Sequence, residues 1–298
     1  MKNTIKIYVG ILVVIFVVLA ILGYRGNYSL ERKIWGLQKQ YAQIVKDPQG
    51  VPDNAIKRVI ENHKKIIAKY PGNNPIITQV YFALGNLYML RKDYAQAREE
   101  FTIILDVYKN NAEADSEALF AIGRCYELSG KWDQALGFYQ RVNNEYPLTK
   151  AGMVAIGYIG GYYKKINDFQ KAVDAFDRAI EFYKKIAKNY SDKMAGLAAL
   201  NLLSDCYLAQ DRWTEALDNY QRILLDYGSK GALLPVQMQI LVQKINSIAV
   251  KELKDYGAAI AVYQQFLDKY PDNPFSPGFK KLVQQLKSVK KTEPLVVK

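Results

Sequence analysis

The chain has 298 residues, with 41 Lys and Arg against 29 Asp and Glu, a formal net charge of +12, and apolar residues at half of its positions. So much apolar material with so little low-complexity sequence excludes a disordered chain and allows a continuous buried core. The positive surplus favours anionic lipid, an acidic partner or nucleic acid, while a single histidine leaves no second one to share a metal.

Ile7 to Tyr24 form 18 consecutive uncharged, mostly apolar positions. As a helix the run spans roughly 27 Å, close to the ~30 Å hydrocarbon core of a bilayer. Lys2 and Lys6 precede it and Arg25 follows. A cleaved secretory signal would carry an apolar core of about 7–15 residues and then a small-x-small cleavage site. Cutting after Gly23 puts Ile21 at the −3 position and cutting after Gly26 puts Tyr24 there, so neither end fits. No cysteine near the end of the run permits a lipoprotein cut. The expectation is a retained anchor, with residues 1–25 forming a cytoplasmic tail and one transmembrane helix. Lys and Arg are nearly balanced on the two sides of the run. A six-residue tail that stays behind is the simpler solution, and it places the rest of the chain on the outer, periplasmic side.

Residues 26–71 read as a juxtamembrane helix and a degenerate first repeat. Leu30, Ile34, Leu37, Tyr41 and Ile44 recur at steps of 4, 3, 4 and 3, the seam of an amphipathic helix. The seam suits packing on the next repeat; the alternative is a short coiled coil between two chains, for which two heptads are few. Pro48 and Pro52 break it, and Ile56, Val59, Ile60, His63, Ile67 and Tyr70 mark a second helix ended by Pro71.

Residues 72–274 repeat themselves. Five times an alanine follows an aromatic by three residues and precedes another by four: Tyr94-Ala97-Phe101, Trp132-Ala135-Tyr139, Phe169-Ala172-Phe176, Trp213-Ala216-Tyr220 and Tyr256-Ala259-Tyr263. Upstream of the first four stand Leu84-Gly85…Tyr88, Ile122-Gly123…Tyr126, Ile159-Gly160…Tyr163 and Leu203-Ser204…Tyr207. The fifth copy has lost that half and reads Asn246-Ser247…Val250, while Tyr146-Pro147 and Tyr270-Pro271 close the second and fifth units. Small residues let two helices approach, the aromatics fill the space beside them, and the proline ends the second helix.

This pattern resembles the tetratricopeptide repeat (TPR) over about residues 52–274. The resemblance implies an all-α, TPR-type solenoid, a right-handed superhelix of antiparallel helix pairs. The small position recurs at 85, 123, 160, 204 and 247, steps of 38, 37, 44 and 43, against a usual ~34. Such long units with tyrosine–proline ends are similar to those of envelope-assembly factors of the BamD and CpoB type. The stretch from Phe176 towards Tyr190 reads as an overlong second helix. Residues 275–298 carry Phe279, Leu282, Val283 and Leu286 on a lysine-rich helix, the polar-faced cap that an array needs.

Cys125 and Cys206 each precede a repeat tyrosine, where a small buried residue belongs, and they lie two units apart, too far to bridge. His63 sits on the apolar side of its helix. Glu99 and Glu100 fall on faces that the pattern leaves to solvent. No phosphate loop, serine elbow or paired carboxylates stand out, so neither an enzyme nor a cofactor is expected, and the basic tail lacks any nucleic-acid motif.

What remains is the concave face that the resemblance implies, lined by the first helix of each pair. Its partner-binding positions are Phe82, Asn86 and Met89, then Phe120, Arg124 and Glu127, then Gly161, Lys164 and Lys165, then Asn201, Asp205 and Leu208, and finally Lys244 and Lys251. The bland alternative is ordinary helix surface. The expected function is a membrane-tethered, non-catalytic scaffold that binds a protein or peptide in envelope assembly, secretion or complex organisation. The alternative is a self-associating chain that forms a lattice at the membrane.

Overall fold

A computed structural model describes residues 15, 17, 27–70, 75–107, 111–228 and 233–292. Among these residues the chain forms thirteen α-helices and one π-helical segment, with no strand. Apart from Ile15 and Val17, the run expected to anchor the chain lies outside them, as does Pro71. No described helix is long and apolar enough to cross a membrane. The chain divides into two compact units, Met1–Gly152 and Met153–Lys298.

The first unit holds α1 (Asn27–Lys46), α2 (Asp53–Lys69), α3 (Pro75–Leu90), α4 (Tyr94–Val107), α5 (Ala112–Leu128) and α6 (Trp132–Glu145). The seam of α1 packs on the first repeat: Leu30, Ile34 and Leu37 are buried in one cluster with Ile77 and Val80 of α3. His63 of α2 is buried with Nδ1 2.7 Å from the Val59 carbonyl oxygen, and burial holds its pKa below the usual value. Glu100 departs from the expectation. It is half-buried on α4, where desolvation raises its pKa and Lys64 of α2 opposes the rise, so only Glu99 of that pair is exposed.

The second unit holds most of α7 (Lys150–Lys165), then α8 (Phe169–Asn189), α9 (Met194–Ala209), α10 (Trp213–Tyr227), α11 (Pro235–Asn246), the π-helical segment Ser247–Glu252, α12 (Tyr256–Lys269) and α13 (Ser276–Thr292). Helix α8 has 21 residues and is the longest described. Its Tyr183 is buried and donates its hydroxyl to the Met153 carbonyl at 2.6 Å. Helix α13 caps the unit: Phe279 stacks on Tyr263 at 5.3 Å and meets Phe266 edge-on at 5.0 Å, while Lys280, Lys281, Lys287 and Lys290 face solvent.

The repeat pattern is a packing rule. Ala97, Ala135, Ala172, Ala216 and Ala259 are all buried. A Cβ added at Gly85, Gly123 or Gly160 would lie 2.6–2.8 Å from the ring of Phe101, Tyr139 or Phe176, so only glycine lets the aromatic in. The fourth pair substitutes a polar contact. Asn219 donates to Ser204 Oγ at 2.7 Å and to the Leu200 carbonyl at 2.6 Å, satisfying the hydroxyl that replaces the glycine. Cys125 and Cys206 fill core positions, where burial pushes their thiols up to about 11 and about 12.

Two turn rules escaped the sequence reading. Within each pair the turn contains one left-handed residue: Lys92, Gly130, Asn167, Asp211 and Lys254. In four pairs the next amide then returns to the carbonyl of the repeat tyrosine, as Asp93 does to Tyr88 at 2.9 Å and Arg212 to Tyr207 at 2.9 Å. The fifth pair has no such tyrosine. There Asp255 reaches one residue further back, to Ala249 at 2.7 Å, and the π segment takes up the slack. Between pairs, Gly152 and Gly196 lie against the carbonyls of Tyr146 and Tyr190, where a Cβ would sit 1.8 and 2.1 Å from the oxygen. At the same offset from Tyr270, Ser276 donates its hydroxyl to the carbonyl at 2.6 Å. The Tyr190 end makes this close contact without a following proline.

Candidate partner-binding faces

In the first unit the expected face is largely turned to internal use. Phe82 lies 6.0 Å, centroid to centroid, from Phe101, and Phe120 lies 5.0 Å from Tyr139, so both rings are partly buried extensions of the core. Met89 packs on the same cluster as Phe82. Asn86 faces the Tyr41 hydroxyl of α1 and opposes the rise that burial gives its pKa. Glu127 accepts the Tyr139 hydroxyl at 2.7 Å and stands 3.9 Å from Arg124, with only 11% of its side chain exposed. Its carboxylate thus accepts from the phenol of a fully buried tyrosine. Arg124 keeps more than a third of its side chain in solvent.

The second unit is arranged differently. Lys164 of α7 donates its ammonium to the Ala209 carbonyl at the C-terminus of α9, the negative end of that helix. Lys165 and Lys251 are exposed, as is Gly161, whose added Cβ would meet nothing within 4 Å. Leu208 is half-buried on the core. Asn201 donates to the Leu197 carbonyl at 2.9 Å. Lys244 of α11 stands 4.0 Å from Asp205 of α9 and 5.1 Å from the Tyr220 ring.

Between α9 and α11 lies a cleft of about 120 Å³. Leu197, Ile240 and Leu241 form part of its apolar wall, and Asn201, Gln237 and Lys244 its polar side. Of the sequence-predicted positions, the structure thus brings Asn201 and Lys244 into one cleft and sets Asp205 beside Lys244. Sequence reasoning missed Gln237, Ile240 and Leu241. They belong to the first helix of the fifth pair, whose signature is eroded, and the only available hint was the apolar spacing of 238, 241 and 245. Among the described residues no group of three or more His, Cys, Asp or Glu is placed to hold a metal.

Three models described as tetratricopeptide repeat match residues 76–142, 162–231 and 248–273. The chain carries tetratricopeptide repeats. The described residues form an all-α helical repeat solenoid, a fold that typically serves protein binding rather than chemistry. Among curated proteins no sequence matches. Among solved structures the TPR chain is similar to a putative kinesin light chain from Podosopora anserina with nearly identical TPR-like repeats, at 14% identity and a TM-score of 0.39, covering 74% of this chain and 97% of that one. It is also similar to BtubC (BKLC) from P. vanneervenii, at 15% identity and a TM-score of 0.42, covering 86% and 93%. The apo form of RapI matches at 12% identity and a TM-score of 0.41, covering 88% and 100%.

Proposed function

We propose that this chain is a membrane-tethered, non-catalytic TPR scaffold that holds a partner protein, with the apolar run Ile7–Tyr24 as its anchor and the repeats on the outer face of the membrane. The observation that carries the binding reading is the first-helix surface of the second unit. There apolar, amide and cationic side chains line one open cleft. Support for the anchor comes from its 18 uncharged positions and the lack of a fitting cleavage site. Support for an envelope-assembly or secretion setting comes from the long units and the tyrosine–proline ends. Chemical crosslinking in native membranes followed by mass spectrometry tests the scaffold. Crosslinks from Lys164, Lys165 or Lys244 to a different protein support it. Crosslinks confined to other copies of this chain favour a self-assembled lattice and overturn it. A mature N-terminus between residues 20 and 30, or release of the chain by alkaline carbonate, overturns the anchor.

A further inference from the structure

We infer that the outward face of α1 lies on an anionic lipid surface with Trp35 at headgroup level, an inference that rests on the anchor reading above. The rest of α1 is fixed to the first unit. Leu30, Ile34, Leu37 and Ile44 are buried, Gln38 donates to Gln79 of α3 at 2.9 Å, and Gln40 accepts from Asn62 of α2 at 3.3 Å. The apolar seam is thus spent on the fold and does not serve a coiled coil between chains. Opposite it, Arg32, Trp35, Lys39 and Lys46 recur at steps of 3, 4 and 7, the spacing of a single helix face. All four are exposed, Trp35 by 57%, whereas Trp132 and Trp213 are half-buried. Lys39 holds its ammonium 3.7 Å from the centre of the Trp35 ring, so the ring and this cation share one surface. The end helix of a repeat array normally turns a polar face to water. An indole among long cationic side chains is instead the composition of a membrane–water interface.

Chain length and charge select the occupant. Only Arg25 and Gly26 separate Tyr24, the last residue of the apolar run, from Asn27, where α1 begins. Two residues reach at most about 7 Å, so an anchored run leaves the start of α1 at the headgroups. From Arg32 to Lys46 the face extends roughly 21 Å. A helix lying along the surface brings all of it to lipid, whereas an upright one lifts Lys46 out of reach. Residues 25–46 hold Arg25, Arg32, Lys33, Lys39 and Lys46 against Glu31 alone. Lys33 is not part of the face, since it donates to the Tyr70 hydroxyl at 3.1 Å. The other cations match the phosphates of anionic lipid, which attract basic groups beside a membrane span. A second copy of this chain would set the same cations against one another. An acidic protein would match the charge, but only the bilayer is brought to this face by the chain itself.

The test reconstitutes the full chain with Trp132→Phe and Trp213→Phe, so that Trp35 alone emits; Phe169 already stands at the equivalent position of the third pair. The vesicles are phosphatidylcholine, pure or mixed with phosphatidylglycerol, with or without bromine near the carboxyl end of the acyl chains. In the mixed vesicles Trp35 emission should lie further to the blue than in pure phosphatidylcholine and should be quenched more strongly by bromine. Arg32→Glu with Lys46→Glu, which leaves Lys39 over the ring, should lose most of that quenching with an unchanged melting curve, because the reversed charges are repelled by the lipid. Arg32→Gln with Lys46→Gln serves the same purpose if the reversal fails to fold. Emission that bromine does not quench, from a chain that withstands alkaline carbonate, overturns the docked helix and leaves the anchor standing. Release by carbonate overturns the anchor and this inference together. Equal quenching in both vesicles that survives the charge reversal overturns the anionic surface. A blue shift that ignores bromine and grows with protein density makes the occupant a second copy, and one that appears only when polyglutamate is added makes it an acidic protein; either overturns the lipid.

Discussion

In the first unit Phe82 and Phe120 rest on Phe101 and Tyr139, and Glu127 takes up the Tyr139 hydroxyl; in the second, Asn201, Ile240 and Lys244 surround an open cleft. Both surfaces are built from first-helix positions of their own repeats. The difference teaches that a lining side chain is withdrawn from the surface where a buried group of its own unit takes it as a hydrogen-bond partner. The buried Tyr220 hydroxyl of the fourth pair draws none, but a second-helix tyrosine can draw a neighbouring polar side chain inward to accept its hydroxyl, as Tyr139 draws Glu127 and Tyr263 draws Asn246 at 2.8 Å. The surface residue is then part of the fold.

The largest effect should come from the core that both units share. Ala135 is fully buried where α5 meets α6. Ala135→Leu should overpack that contact and cost about 1–3 kcal/mol in chemical denaturation. A denaturation curve identical to that of the unaltered chain would mean that the alanine register is misread.

Next comes the contrast between the two surfaces. Glu127→Ala removes the acceptor of a buried phenol and should cost about 1–2 kcal/mol. Asp205→Ala, on the corresponding face of the second unit, should stay within ~0.5 kcal/mol. Equal costs for the two would erase the distinction drawn between committed and available faces.

A smaller, pH-dependent effect should be confined to the first unit, which holds the chain's one histidine. Burial lowers the pKa of His63 in the folded state, so the unfolded chain binds the proton more readily. Stability contributed by neutral His63 is therefore complete above the unfolded value of ~6.5 and is lost as pH falls through and below it. Hydrogen exchange should show α2 and its neighbours loosening as pH falls below about 6.5. His63→Leu should flatten that response, and the same loosening in the variant would assign it to another group.

The smallest effect on stability should come from Lys165→Glu, because Lys165 is exposed and a substitution there stays within ~0.5 kcal/mol. It should nevertheless reduce partner recovery, more so at low salt where screening is slight. Arg124→Glu provides the matching reversal in the first unit and Lys280→Glu with Lys281→Glu the control outside both faces. If only the change at Lys280 and Lys281 abolishes recovery, binding belongs to the basic face of α13.

The helices and their pairing were legible because their signals are local and repeated. Five alanines between aromatics, and three glycines that admit a ring within 2.6–2.8 Å of a would-be Cβ, state the packing rule in the sequence itself. The burial of Cys125, Cys206 and His63 followed from their place in that register. The turn rules were harder to read, since left-handed Lys92, Asp211 and Lys254 carry no residue type that announces a positive φ.

What the sequence by itself determined was the array: which residues form helices, which faces they bury and where a lining surface lies, because these depend on spacing along one chain. Only the tertiary structure decided which lining residues remain open to a partner. That outcome depends on pairs distant in sequence, such as Tyr41 with Asn86, Asp205 with Lys244, and the walls that α9 and α11 contribute to one cleft. Burial of a polar group is settled by whether a hydrogen-bonding partner reaches it, and no periodicity in the chain records that meeting.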